Sequence, residues 1–500
     1  MSRRVSSRSV ISVLTACLAL LISVAGFTDA VSQRAPAAQP SPTATSSPRA
    51  PTPVPAQPIL EPLDPTTGED AAADGSPAPA AVQAAVGSRL DVGELGGRVS
   101  ATVVDAASDE LLLARARTRP VTPASSVKVL TTIAALELLG PQHRVSTRVL
   151  AAAPEAGNEE PAEPTSTPGG TAQPDPDTPP PLTRISLVGG GDPRLTSDPD
   201  PDDASQTSIV DLAESTAQAL QEQGRTRVRL TVDAMLFGGP AIDPDWESGY
   251  VPGGVAGPVS ALSLDGGRVH RDQDRRAEAP HVSAGVRFAE LLENRGITVA
   301  GEVEAEPTPQ GFAELAAIES APMSAIVEHV NEVSDNDAAE ILLRLVALGA
   351  GRPGTSDEGA NAVLDVLESF GIDTSGTRLL DGSGLARGTR VPTEVLARVV
   401  AVAAEDERPG LRPLLTSLPV AGATGTLQDR FRTDAALSGR GEVRAKTGTL
   451  SGVTSLTGTV MTADGDLLAF SAVADRITSP LEARAAMDEF TASLAACGCR

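Results

Sequence analysis

Pro123-Ala124-Ser125-Ser126-Val127-Lys128-Val129-Leu130-Thr131-Thr132-Ile133-Ala134-Ala135-Leu136-Glu137-Leu138-Leu139 is the stretch from which the rest of the chain can be read. Pro123 introduces it and Gly140-Pro141 stops it, the punctuation of a helix running from about Ala124 to Leu139. Its apolar residues fall almost all round the helix, so it belongs inside a domain. Two polar residues interrupt the pattern near its start. Ser125 and Lys128 are three apart and share a face, so a lysine amine can approach a serine hydroxyl. Ser125 also lies in the first turn, where free amide groups and the positive end of the helix favour developing negative charge. The chain has 40 lysines and arginines together, and only Lys128 and Lys446 are lysine. An ammonium can be made to lose its proton by burial or neighbouring charge, whereas a guanidinium cannot. Lysine kept at position 128 therefore points to proton transfer beside a nucleophile.

The second lysine opens Lys446-Thr447-Gly448-Thr449, and Ser334-Asp335-Asn336 lies between the two lysine motifs. Ser334 offers a hydroxyl that can relay a proton, and Asn336 an amide that can orient a backbone group. Taken alone, that triplet is also an ordinary turn and helix cap. On an edge strand, Gly448 would permit close approach of a substrate backbone. Thr447 and Thr449 could hold a carboxylate, and Lys446 would supply positive charge. A strand end entering a turn explains the same residues by themselves. The ordered triple, using both lysines, is what carries information.

Outward from the helix, Arg98–Val104 and Leu111–Leu113 read as two strands joined by a polar turn. From 145 to 280 the texture changes to short strands at Ile185–Val188 and Val228–Val232 among many Gly and Pro residues, which reads as an inserted domain. It carries a Pro-rich acidic loop at 154–181. Helical periodicity returns at Ser283–Gly296, Met323–Val330 and Asp337–Ala350. A strand carrying Lys446 leads to a hairpin, Thr457–Met461 and Leu467–Ala474 around Asp464-Gly465, and then to a helix at Pro480–Leu494. The catalytic body, 82–144 with 281–500, is thus an α/β (α+β) fold with an antiparallel sheet flanked by helices, split by the β-rich insertion 145–280.

Residues 31–81 are dense in Pro, Ala, Ser and Thr without apolar period, which reads as an extended linker. Residues 1–30 carry Arg3, Arg4 and Arg8 before an apolar run from Val10 to Phe27, an export signal whose length suits either a cleaved peptide or a membrane anchor. The expected location is extracytoplasmic, secreted to the wall or held at the cytoplasmic membrane by the N-terminus. Leu14-Thr15-Ala16-Cys17 superficially resembles a lipoprotein box, but Cys17 would sit in mid-membrane. A net charge of −25 and 2% aromatic residues argue against nucleic acid as a partner. The four histidines are scattered, and Cys497 and Cys499 sit together at the C-terminus, so no metal set and no cofactor is expected.

The motif set resembles that of penicillin-binding proteins and β-lactamases. The stretch between Ser125 and Ser334 is far longer than the small helical region a compact β-lactamase has there. The chain is similar from about residue 90 to 495 to the D-alanyl-D-alanine carboxypeptidase/endopeptidase family, the low-molecular-mass class C penicillin-binding proteins (peptidase S13). The residues carrying that resemblance are the three motifs, Gly190-Gly191-Asp192-Pro193, the Trp246/Tyr250 segment, Ala339-Glu340, Asp381-Gly382-Ser383-Gly384-Leu385-Ala386-Arg387 and Gly425-Thr426-Leu427. The loop-rich insertion departs from the family's pair of extra domains. The resemblance implies a penicillin-binding serine D,D-peptidase acting on peptidoglycan stem peptides, with β-lactams as inhibitors. Ser125 would be the nucleophile and Lys128 its base. Backbone amides of Ser125 and Thr449 would form the oxyanion hole, and Ser334 with Lys446 would pass the proton to the leaving group. Asn336 would orient the substrate amide, and Thr447 with Thr449 would hold the terminal carboxylate. Arg387 would pair either with a stem-peptide carboxylate or with an aspartate of its own loop. A β-lactamase of unusual architecture and a catalytically silent wall-binding protein of the same fold are the alternatives.

Overall fold

The computed structural model describes residues 75–153 and 180–500. The N-terminal signal or anchor, most of the linker and nearly all of the acidic loop fall outside them. Two sheets organise the chain. The first is fully antiparallel and five-stranded, in the order Val443–Leu450, Val453–Met461, Leu467–Ala474, Val99–Asp105, Leu111–Arg115. The Asp464-Gly465 hairpin pairs as its turn chemistry predicts, from Met461 with Leu467 to Thr454 with Ala474. Every residue of Val99–Asp105 is buried, because both faces of the sheet are covered. Phe490 and Met487 of the helix Pro480–Ala495 pack with Val99, Val103 and Phe470 on one side. Val400 and Ala401 of the helix Thr393–Val402 pack with Val104 and Ala469 on the other.

Beside the sheet stands a helical body built on Lys128–Leu139, whose buried residues run from Lys128 to Leu136 without a gap. Helices Met323–Glu332, Asn336–Gly349 and Ser356–Ser369 surround it. Burying one branched or leucine side chain contributes about 1.5–3 kcal/mol, so this all-round apolar helix is held in place by the residues that made it legible.

The second sheet is mixed. Ala313–Glu319, Ser146–Ala151 and Thr183–Val188 pair antiparallel in that order, while Arg227–Asp233 runs parallel to Thr183–Val188, Thr298–Val299 and Glu304–Ala305. Phe288, Leu291 and Leu292 of the helix Pro280–Glu293 bury against it. The boundary expected at 280 is therefore corrected. The sheet keeps the chain through Glu319, because Glu319 pairs with Ser146 and the chain leaves beside the strand on which it entered. Ser320 N–H then bonds Val145 O and Met323 N–H bonds His143 O, closing the doorway between the two bodies.

A smaller correction applies to the linker, expected to run to 81. A helix already spans Pro79–Val86, with proline at its first turn, where the missing N–H costs nothing. Val82 and Val86, one turn apart, bury against the C-terminal core, and Ala78 N–H donates to Cys499 O at 2.7 Å. Cys497 and Cys499 are bonded to each other in that core.

Candidate active site

Ser125 lies in a single 3₁₀ turn, Ala124–Val127, that feeds the α-helix Lys128–Leu139. In a 3₁₀ turn the side chains at i and i+3 eclipse, and Lys128 Nζ accordingly stands 3.0 Å from Ser125 Oγ. Ala124 enters the turn at φ 50°, a left-handed conformation costing a residue with a Cβ about 1–2 kcal/mol. Neighbours hold it there. A Cβ on Gly384 would come within 2.1 Å of Ala124 O, and a Cβ on Gly448 within 2.5 Å of Pro123 O and 2.2 Å of Ser455 Oγ. Ser455 Oγ in turn donates to Pro123 O at 2.7 Å and meets Ser126 Oγ at 2.8 Å. The close approach attributed to Gly448 is thus made by the protein's own nucleophile turn. That contact also sets Thr449, the next residue of the edge strand, beside the turn of Ser125. Their backbone amides are the pair expected to face an oxyanion.

Lys128 is fully buried, and its amine has three oxygen neighbours: Ser125 Oγ, Asn336 Oδ1 at 2.7 Å and Ser383 O at 2.8 Å. A neutral amine has two N–H bonds and one lone pair. With the N–H bonds on Asn336 and the Ser383 carbonyl, the lone pair is left for the Ser125 hydroxyl. Burial lowers the amine's pKa to about 8 against the opposing pull of Asp381, Glu340, Asp335 and Asp337.

Ser334-Asp335-Asn336 sits where the helix Met323–Glu332 ends and Asn336–Gly349 begins. Ser334 adopts φ 61°, a strained conformation of the kind that functional sites retain. Asp335 caps the second helix through Ala338 N–H at 3.0 Å and accepts from His329 Nε2 at 3.0 Å. Asn336 has both ends of its amide engaged, Oδ1 by Lys128 and Nδ2 donating to Val255 O at 2.8 Å.

Lys446, in the edge strand Val443–Leu450, is as buried as Lys128, and donates to Ser334 Oγ at 2.9 Å and to Thr447 O at 2.9 Å. Burial, and then the charge of Lys128, push its pKa well below the ordinary lysine range. Its surroundings therefore oppose the positive charge expected of it. Thr447 Oγ1 donates to Thr426 Oγ1 at 2.9 Å, and Thr449 is exposed with its hydroxyl 3.5 Å from Arg484 Nη2.

The expected network therefore divides into two bonded groups, Ser125–Lys128–Asn336 and Ser334–Lys446–Thr447, with Thr449 at the rim. Within the protein, Arg387 pairs not with an aspartate of its own loop but with Glu247 of the insertion, and it donates to Ser451 O at 3.0 Å. No motif within the loop marked that partner, because the contact spans two bodies of the chain. Trp246 likewise reaches in from the insertion, its Nε1 donating to Asp381 Oδ2 at 3.0 Å. Arg484 and Val255 are site residues that motif reading passed over, while Thr426 and Glu340 stood within quoted motifs but were given no role. Glu340 also lies one helical turn beyond Asn336 on the same side.

Comparison with known proteins bears on the family and the fold. The D-Ala-D-Ala carboxypeptidase 3 (S13) family matches residues 82–162, 179–278 and 270–494. A carboxypeptidase of Mycobacterium tuberculosis is 33% identical over 459 residues, covering 90% of this chain and 91% of the relative. Carboxypeptidase DacB of Mycolicibacterium smegmatis is 33% identical over 500 residues, 98% of this chain and 96% of its own. The crystal structure of penicillin binding protein 4 (dacB) from Haemophilus influenzae aligns at a TM-score of 0.64 and 21% identity, covering 81% of this chain and 98% of that one. That likeness is one of fold, while the sequence matches extend nearly end to end. The lysine-flanked serine, the interrupted antiparallel sheet and those matches together place this chain in the D-Ala-D-Ala carboxypeptidase 3 (S13) family.

Proposed function

We propose that Ser125 is the nucleophile of a serine D-Ala-D-Ala carboxypeptidase that trims peptidoglycan stem peptides. The observation that carries this reading is the setting of the Lys128 amine, held by Asn336 Oδ1 and Ser383 O with Ser125 Oγ as its third neighbour. Lys128 takes the hydroxyl proton as Ser125 Oγ bonds to the carbonyl carbon of the penultimate D-alanine. The oxyanion gathers on the amides of Ser125 and Thr449. As the C–N bond breaks, the ammonium form of Lys446 passes a proton through the Ser334 hydroxyl, to which it is hydrogen-bonded, to the departing D-alanine amine. Water then cleaves the acyl ester, its proton going back to Lys446 while Lys128 returns its proton to Ser125 Oγ, giving the shortened peptide and restoring the serine hydroxyl.

The substrate's terminal carboxylate would lie among Thr447, Thr449 and Arg484. Its charge there would also restore the ammonium form of Lys446, so binding and proton supply are coupled. Asn336 would exchange its bond to Val255 O for one to the substrate amide. A β-lactam presents a strained amide and a carboxylate of the same shape, and would acylate Ser125. The arginine-flanked apolar run near the N-terminus supports export to the compartment where this substrate lies.

The test is mass spectrometry after brief penicillin exposure and digestion. The peptide bearing Ser125 gains the mass of the drug, and Ser125→Ala abolishes the gain. A label that persists in the alanine variant rejects the assignment.

A further inference from the structure

Glu340 has no part in the chemistry above, yet it is a fully buried carboxyl one helical turn beyond Asn336. A single oxygen, Oε1, accepts the amide hydrogens of both Gly382, at 3.0 Å, and Ser383, at 2.8 Å. The peptide unit that follows points the Ser383 carbonyl at Lys128 Nζ. Other hydrogen bonds also fix this piece of loop, among them Ser383 Oγ donating to Asp381 Oδ2 at 3.3 Å. Thr131 Oγ1 donates to Gly382 O at 2.9 Å, and Asp381 accepts from Gly384 and Ala386 N–H on the far side of Ser383. The loop cannot retreat toward Glu340's helix, since a Cβ on Gly382 would already lie 2.6 Å from Ala339 O. Nor can it advance, because Gly384 is packed against Ala124 O. Gly384 N–H, in the same peptide unit as the Ser383 carbonyl, is held on Asp381 Oδ1 at 3.1 Å, and the two amides on Glu340 fix the peptide units that lead into it.

We propose that Glu340 is a positioning residue for acylation: it holds the Ser383 carbonyl on Lys128 and so fixes the direction in which the amine's lone pair meets Ser125. Asn336 Oδ1 and Ser383 O are the two acceptors for the N–H bonds of the neutral amine. Moving either turns the amine, and proton transfer is steeply sensitive to such a turn. Burial and the neighbouring Asp381 push the pKa of the Glu340 carboxyl up to about 8, against the opposing pull of its hydrogen bonds to Ser383 and of Arg344 close by at 3.9 Å.

The inference rests on Ser125 being the acylated residue, so wild-type labelling at Ser125 is measured first and tests that reading separately. The rate constant for acylation by a fluorescent penicillin is then separated from the preceding binding constant in two variants, each checked by thermal unfolding. Glu340→Asp keeps the carboxyl but shortens the reach. It slows acylation about ten- to a hundredfold, with binding unchanged to within about twofold. Glu340→Gln keeps an oxygen for both amides, and acylates within about threefold of wild type. The proposal is overturned if Glu340→Asp acylates at the wild-type rate, or if Glu340→Gln is the slower of the two. Should the aspartate variant fail to fold, Glu340→Gln decides alone, its loss of acylation overturning the proposal and its retention supporting it.

Discussion

Lys128 and Lys446 are equally buried and each is hydrogen-bonded to a serine hydroxyl, yet their electrostatic surroundings differ. Four carboxyl groups, Asp381, Glu340, Asp335 and Asp337, pull the Lys128 pKa upward against burial and leave it at about 8. For Lys446 the one charge that counts is Lys128 itself, and it pushes the same way as burial. The contrast comes from where each lysine stands. Lys128 begins a helix that meets the acidic second motif and the 381–387 loop, whereas Lys446 sits on a sheet edge facing the place a substrate will occupy. One lysine is tuned to exchange a proton near neutral pH, and the other awaits a ligand's charge.

Replacing each lysine by arginine should break that symmetry most visibly. Lys128→Arg cannot give up a proton, and its acylation rate should fall by about a thousandfold or more. Lys446→Arg still donates to Ser334 and should retain measurable acylation; equal losses would remove the distinction. In the wild type, acylation should rise with pH through about 8, because the reactive form of Lys128 is the neutral amine and its fraction grows as pH rises. A flat profile from pH 6 to 9 in stopped-flow labelling would contradict it.

Gly448→Ala probes what the two lysine regions share, since its Cβ would press on Ser455 Oγ and Pro123 O beneath the nucleophile. A drop of about a hundredfold in acylation, larger than any effect on binding, is expected from moving Ser125 by a fraction of an ångström. If Gly448 served substrate approach alone, the loss would appear in binding instead. A penicillin methyl ester, lacking the carboxylate, should bind about tenfold more weakly than the acid. Lys446→Ala should erase that difference, and an unchanged ratio would place the carboxylate elsewhere. The smallest effect is expected of Arg484→Ala, a rise of about threefold in KM for a D-Ala-D-Ala peptide with kcat held. A fall in kcat would assign Arg484 to the chemistry.

Much of the catalytic body was legible because its signals are local. The buried helix, the Asp-Gly hairpin and the C-terminal helix each depend on residues within one turn or one strand of each other. The end of the insertion was not legible. Ala313–Glu319 carries the weak pattern Ala-Glu-Leu-Ala-Ala-Ile-Glu, and its place was settled by pairing with Ser146–Ala151, far earlier in the chain. Arg387 shows the same limit, since its loop was recognisable while its partner Glu247 came from another body.

The sequence by itself singled out the residues proposed for the chemistry, because catalysis needs particular functional groups and two lysines in an arginine-rich chain cannot be hidden. It also determined the helix that carries Ser125, through the period of its apolar residues. Tertiary structure alone decided how those groups behave. The acidity of an amine depends on burial and on charges a few ångströms away, and those charges arrive from the helix Asn336–Gly349 and the loop at 381–387. Gly448 shows this most directly: its lack of a side chain was visible at once, but the backbone that fills the space came from a turn more than three hundred residues earlier in the chain.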